Sequence, residues 1–137
     1  MGNKVDIHYC NMCSKLFILA NKKGYDSYDF IEKIMSSELA KHLFDTNDTT
    51  IWIGETYVLE TIESMIDINK SGKQLSDDCM EWIGYLYKYW NYLYPNETPL
   101  DILKQAPVNV LEASYVGLHC LSCEMAIEDL KGIYKQK

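Results

Sequence analysis

The chain has 137 residues, is 47% hydrophobic and carries a net charge of −7. That length fits one domain over residues 1–137, with enough apolar side chains to build a core without staples. All 13 basic residues are lysine. Phosphate and base recognition lean on the bidentate guanidinium fork, so this acidic chain is not expected to bind nucleic acid.

With only 7 Gly and 3 Pro, turns are few and elements long, which favours helices over a sandwich or barrel. The expected fold is all-α, a compact bundle of about five to seven helices. Residues 7–22 read as the first, with Cys10, Cys13, Leu16, Phe17 and Ala20 on its apolar stripe. Gly24 follows a run of lysines and suits a left-handed cap. Asp26 or Ser27 caps the second helix, which carries Phe30, Ile31, Ile34 and Met35 and continues through Leu39, Ala40, Leu43 and Phe44 after a break at Ser36-Ser37.

A third helix is expected over 51–68, with Val58, Leu59, Ile62, Met65 and Ile66 inward and Thr56, Glu60, Glu63 and Asp67 outward. Ser76 caps a fourth, running to about Leu93. Thr98-Pro99 opens a short helix that stops before Pro107, Asn109 caps another short piece, and Ser122 caps the last. Trp52-Ile-Gly54 and Trp82-Ile-Gly84 are spaced 30 residues apart. Glycine inside a helix costs about 1 kcal/mol against alanine, so both glycines are read as points of close helix approach.

The longest purely apolar run, Leu16 to Ala20, is too short to span a bilayer. The first residues lack the pattern of a signal peptide. The expectation is therefore no membrane and a cytoplasmic setting, where the five cysteines stay reduced.

Four of those cysteines form two pairs, Cys10-Asn-Met-Cys13 and Cys120-Leu-Ser-Cys123. Four thiolates could hold one tetrahedral zinc, as a structural or redox-sensing module. Compact zinc modules separate their pairs by roughly 15–20 residues, whereas over a hundred intervene here, and Cys10 and Cys13 fall on an apolar stripe. The primary expectation is no metal and no cofactor. No phosphate loop, dinucleotide fingerprint or nucleophile elbow is present, which points away from catalysis and toward binding.

Two features suit a protein partner. Between His42 and Asn69 there is no lysine, yet Asp45, Asp48, Glu55, Glu60, Glu63 and Asp67 all fall there; a patch of one sign steers an oppositely charged partner. Residues 82–94 hold Trp82, Tyr85, Tyr87, Tyr89, Trp90, Tyr92 and Tyr94. Trp82, Tyr85, Leu86, Tyr89, Trp90 and Leu93 form one stripe, with Tyr87 and Tyr94 off it. Glu60, Glu63 and Asp67 are the candidate steering charges, and Tyr87 and Tyr94 the candidate anchors. A solvated helix face for the acids and a buried central helix for the aromatics are the simpler readings of the same residues, and the ones the sequence favours. Self-association is the other partner class left open.

Four blocks carry a family likeness: Gly24-Tyr-Asp-Ser27 leading into Phe30-Ile31, Trp52-x-Gly54-Glu55-x-Tyr57-x-Leu59-Glu60, Trp82-x-Gly84-Tyr85-x-Tyr87-x-Tyr89-Trp90, and Glu124-Met-Ala-Ile-x-Asp129-Leu130. Over roughly residues 15–134, the chain resembles a family of small uncharacterised bacterial proteins encoded beside ADP-ribosyltransferase-like toxins. The resemblance implies an antitoxin or accessory protein whose partner is a co-encoded toxin. It assigns no functional residue, and the cysteine pairs lie outside it.

Overall fold

A computed structural model describes residues 4–136. They form eight helices: α1 (Ile7–Lys22), α2 (Ser27–Met35), α3 (Leu39–Leu43), α4 (Glu55–Met65), α5 (Asp77–Leu93), α6 (Pro99–Gln105), α7 (Val108–Leu118) and α8 (Cys123–Lys135). No strand occurs among the described residues, and the class is all-α. The count is eight rather than five to seven because Ser36–Glu38 breaks the second segment and leaves α3 as a separate short helix.

Local chemistry sets the helix starts. The side chains of Asp26, Ser76 and Ser122 accept the amides of Asp29, Cys79 and Met125, each satisfying a donor that has no partner within its helix. Thr98 and Asp101 form a reciprocal capping box at α6, with Pro99 at the first helical position. Asp26 does a second job. Its other oxygen accepts the Lys73 amide at 3.1 Å, and a Cβ on Gly72 would fall 2.0 Å from that same oxygen. Only glycine fits there, and its φ of +145° is one that other residues rarely adopt.

One hydrophobic cluster draws on all eight helices. Its axis is the packing of α1 on α5, the most extensive helix pair in the protein. The two run antiparallel: Ser14 Oγ donates to the Glu81 carbonyl at 2.9 Å, and Asn21 Nδ2 to the Leu75 carbonyl at 2.7 Å. Gly84 makes this possible, because a Cβ there would lie 2.8 Å from the Cys13 carbonyl oxygen and 3.0 Å from Ser14 Cα. Gly84 therefore faces α1, and that fixes the rotation of α5. Ile83, Leu86, Tyr87 and Trp90 become fully buried, while Trp82, Tyr85 and Tyr89 are half-buried on the flank. The inward stripe is turned by one residue, about 100°, from the stripe the sequence suggested.

The other tryptophan–glycine pair is not equivalent. α4 starts at Glu55, not Ile51, and ends at Met65, not Ile68. Trp52 precedes the helix, and its indole donates to the Leu43 carbonyl at 2.9 Å. Gly54 is the N-cap of α4 with nothing within 4 Å of an added Cβ, so it is not a close-contact point. Met65 is 61% exposed rather than inward, because the helix stops there. Gly54→Ser is accordingly expected to leave the melting temperature unchanged or raise it slightly, since serine adds a cap oxygen in place of a residue that already caps within a few tenths of a kcal/mol. A scanning thermal melt checks this.

Candidate functional site

The half-buried flank of α5 borders a surface cleft. Trp82 and Tyr85 lie one turn apart on this flank, and across from them α7 ends in Tyr115 and His119. Together with Asp78 and Glu81 they line a cleft of about 440 Å³, floored by Asn11 and Ser14 of α1. The Trp82 and Tyr115 rings meet edge to face at 5.6 Å. His119 stacks on Tyr115 at 4.2 Å, and its Nδ1 lies 2.5 Å from the Tyr115 carbonyl oxygen. Tyr85 stacks on Tyr89 at 6.2 Å, and the Tyr89 hydroxyl donates to Glu124 of α8.

The electrostatics of the cleft are negative. Burial raises the Tyr115 phenol above its ordinary pKa, and the charges of Asp78 and Glu81 are among the groups that raise it further. Both carboxylates are exposed. Among the described residues no lysine pairs with either. Geometry of this kind, with aromatic walls and exposed carboxylates at the rim, suits a cationic group.

The residues singled out in the sequence are dispersed. Glu60 is exposed on α4. Glu63 is half-buried and engaged internally, accepting the Tyr25 hydroxyl at 2.5 Å and pairing with Lys23 at 3.7 Å. Asp67 lies beyond the end of α4, exposed, and its backbone carbonyl accepts Lys33 Nζ at 2.7 Å. Tyr87 is 0% exposed, and its hydroxyl donates to the Ala106 carbonyl at 2.6 Å. It offers no surface to a partner, which corrects its reading as an anchor. Tyr94 is half-buried with the Lys131 ammonium 4.0 Å above its ring.

The four cysteines weighed as zinc ligands are also divided. Cys10 and Cys13 are buried in the core, Cys123 is half-buried, and Cys120 is exposed with its Sγ 3.8 Å from His119 Nε2. Cys123 is near enough to Cys10 for its charge to act on that thiol. Even so, among the described residues no three His, Cys, Asp or Glu side chains converge as a metal-ligand set.

Sequence reasoning missed one group altogether. Lys88 is 0% exposed. Its ammonium donates to the Leu43 carbonyl at 2.9 Å and to Asn91 Oδ1 at 3.1 Å, and lies 5.2 Å over the Tyr92 ring and 5.4 Å over the Phe44 ring. Its signal was present: a lysine three residues before an asparagine, inside a helix otherwise apolar nearly all round.

Burial pushes Lys88 down to about 8 and the thiols of Cys10 and Cys13 up to about 12. Cys79 and Cys123 are pushed up to about 11, also by burial. These act in opposite senses on stability. The folded chain releases the Lys88 proton earlier than the unfolded chain, whose lysine titrates near 10.5; this favours folding as pH rises above 8. The folded chain holds the thiol protons more tightly than the unfolded chain, where they leave near 9.0. That contribution is whole below pH 9 and is lost as pH climbs toward 12. Four thiols outnumber one lysine, so urea stability is expected to hold or rise slightly from pH 8 to 9 and to fall steeply above it. A continued rise to pH 11 would contradict the assignment.

No helix among the described residues is long and apolar enough to cross a membrane. Comparison with protein-family models, curated proteins and solved structures finds no match for this chain.

Proposed function

We propose that this chain is a protein-binding module, an antitoxin or accessory protein that neutralises a co-encoded bacterial toxin by direct contact. The observation that carries the reading is the acidic, aromatic cleft between α5 and α7, with whose carboxylates no lysine pairs among the described residues. Apolar surface beside it adds support. Val116 of α7 is 79% exposed, and a shallow groove of about 610 Å³, lined by Ala113, Gly117 and Ile133, runs between α7 and α8. Exposed apolar surface rimmed by polar groups marks contact sites more often than catalytic ones.

In this reading Trp82 and Tyr115 supply anchoring area, because aromatic residues at the centre of an interface carry most of its energy. Asp78 and Glu81 supply charge complementarity, while the exposed Glu60 and Asp67 act at longer range on the rate of encounter. The likeness to proteins encoded beside ADP-ribosyltransferase-like toxins supports the choice of partner. Co-expression with the product of the neighbouring gene tests it. The expected result is rescue of growth and co-purification of the two chains. A toxic neighbour that is neither rescued nor retained overturns the proposal.

A further inference from the structure

Besides the buried Lys88, the chain holds an ammonium group against an aromatic face at three places with a carboxylate nearby. Lys70 Nζ sits 5.4 Å over the Tyr25 ring, whose hydroxyl donates to Glu63, and Lys23 pairs with the same Glu63. Lys73 sits 5.5 Å over the Tyr28 ring, whose hydroxyl donates to Glu112, and pairs with that carboxylate at 2.8 Å. Lys131 sits 4.0 Å over Tyr94 and 5.3 Å over Trp90, and pairs with Glu97 at 2.5 Å. Each site joins a ring face, a carboxylate and a cation; Lys73 and Lys131 both cover the ring and pair with the carboxylate, whereas at Tyr25 the ring is covered by Lys70 and the carboxylate paired by Lys23. The ring quadrupole attracts the cation, and the neighbouring carboxylate adds charge attraction.

The cleft between α5 and α7 has the first two components and not the third. Trp82 and Tyr85 provide the rings, and Asp78 and Glu81 the carboxylates, while Tyr115 carries the stacked His119 ring on one face. Among the described residues no lysine lies over any of these rings. Trp82 is moreover the strongest ring type for a cation. Resting on the protein-binding reading above, we infer that the cleft takes a lysine or arginine side chain presented by the protein partner. A peptide-borne cation fits better than a free one. Two exposed carboxylates alone hold an ion weakly, and the apolar surface along α7, led by Val116, gives the flanking residues of a peptide something to cover.

The test uses the full-length, nitrogen-15-labelled protein and a tri-arginine peptide blocked at both ends. The tri-citrulline peptide, neutral and nearly the same shape, is the control. Trp82 reports through its indole N–H resonance. The Trp52 and Trp90 indoles, already bonded to the Leu43 carbonyl and to Glu97, serve as internal references. The Trp82 signal is expected to move saturably with the arginine peptide and not with citrulline. Asp78→Asn with Glu81→Gln, two exposed substitutions that leave the core intact, should weaken binding by about tenfold, as should Trp82→Leu, followed at the backbone amides of Tyr85 and Tyr115. An immobile Trp82 signal, equal binding of citrulline, or full affinity in the charge-removed variant overturns the inference. So does spermidine binding more tightly than the peptide, which would assign the cleft to a free polyamine. The two proposals fail separately. If arginine binds the cleft but the neighbouring gene product is not captured, the antitoxin reading falls and the cleft assignment stands. If the neighbour is captured equally by wild type and by the Asp78, Glu81 and Trp82 variants, the cleft assignment falls instead.

Discussion

Replacing Gly84 with alanine is expected to lower the melting temperature, and replacing it with leucine is expected to abolish cooperative folding at moderate temperature. The first added carbon alone meets Cys13 and Ser14 at 2.8–3.0 Å, and what it meets is backbone. Backbone in the middle of a sixteen-residue helix cannot swing aside as a lysine tip can, so the helices must separate. Overpacking of this kind costs about 1–3 kcal/mol. The better helix propensity of alanine returns only about 1 kcal/mol. Leucine adds three further carbons at the same crossing and disturbs the largest helix pair in the protein. Thermal melts followed by circular dichroism decide the matter, with Gly54→Ser as the unaffected partner of the pair. A Gly84→Leu variant that melts with wild type would show that α1 and α5 do not cross here.

Tyr87→Ala is the second large effect. Deleting a fully buried aromatic side chain costs about 3–5 kcal/mol, a large share of the roughly 5–15 kcal/mol that holds a domain of this size together. Tyr87→Phe isolates the hydroxyl. It keeps the ring against Phe17, which it meets at 6.4 Å, and removes the donor to the Ala106 carbonyl, so about 1–3 kcal/mol should be lost from an unsatisfied buried acceptor. Urea titration of both variants gives the two numbers. An anchor residue on a binding surface would behave in the opposite way, losing affinity for a partner while leaving the urea midpoint in place.

These two residues mark where the sequence was legible and where it was not. Four helix starts were legible because capping is local: Asp26, Ser76, Thr98 and Ser122 each satisfy an amide three residues on, whereas α4 and α7 start after Gly54 and Pro107, which make no side-chain cap, and not at Ile51 or after Asn109. The boundary of α1 followed from its apolar period and its lysine-rich end. What failed was rotation. In residues 77–93 nearly every face is aromatic or aliphatic, so periodicity could not say which face turned inward, and Tyr87 was placed outside. Gly84 held the answer, since a helix turns its smallest residue to its nearest neighbour, but Gly54 carried the same local signature and proved to be a cap. Asp78, Glu81, Tyr115 and His119 escaped notice as a group because only the tertiary fold brings α7 beside the start of α5. The acidic run at 45–67 was conspicuous in the sequence, yet Glu63 spends its charge on Tyr25 and Lys23.

The pairing of α1 with α5 also has a consequence for synthesis. From the end of α1 at Lys22 to the end of α5 at Leu93, some seventy residues must be polymerised before α1 meets its main partner. At about 5–20 residues per second, ribosomes take roughly 4–14 s to cover that distance. Through that interval Leu16, Phe17 and the two cysteines of α1 have only α2, α3 and α4 to shelter them. The nascent chain is thus exposed to sticking and to thiol oxidation early, and the release of α5 from the exit tunnel ends the exposure.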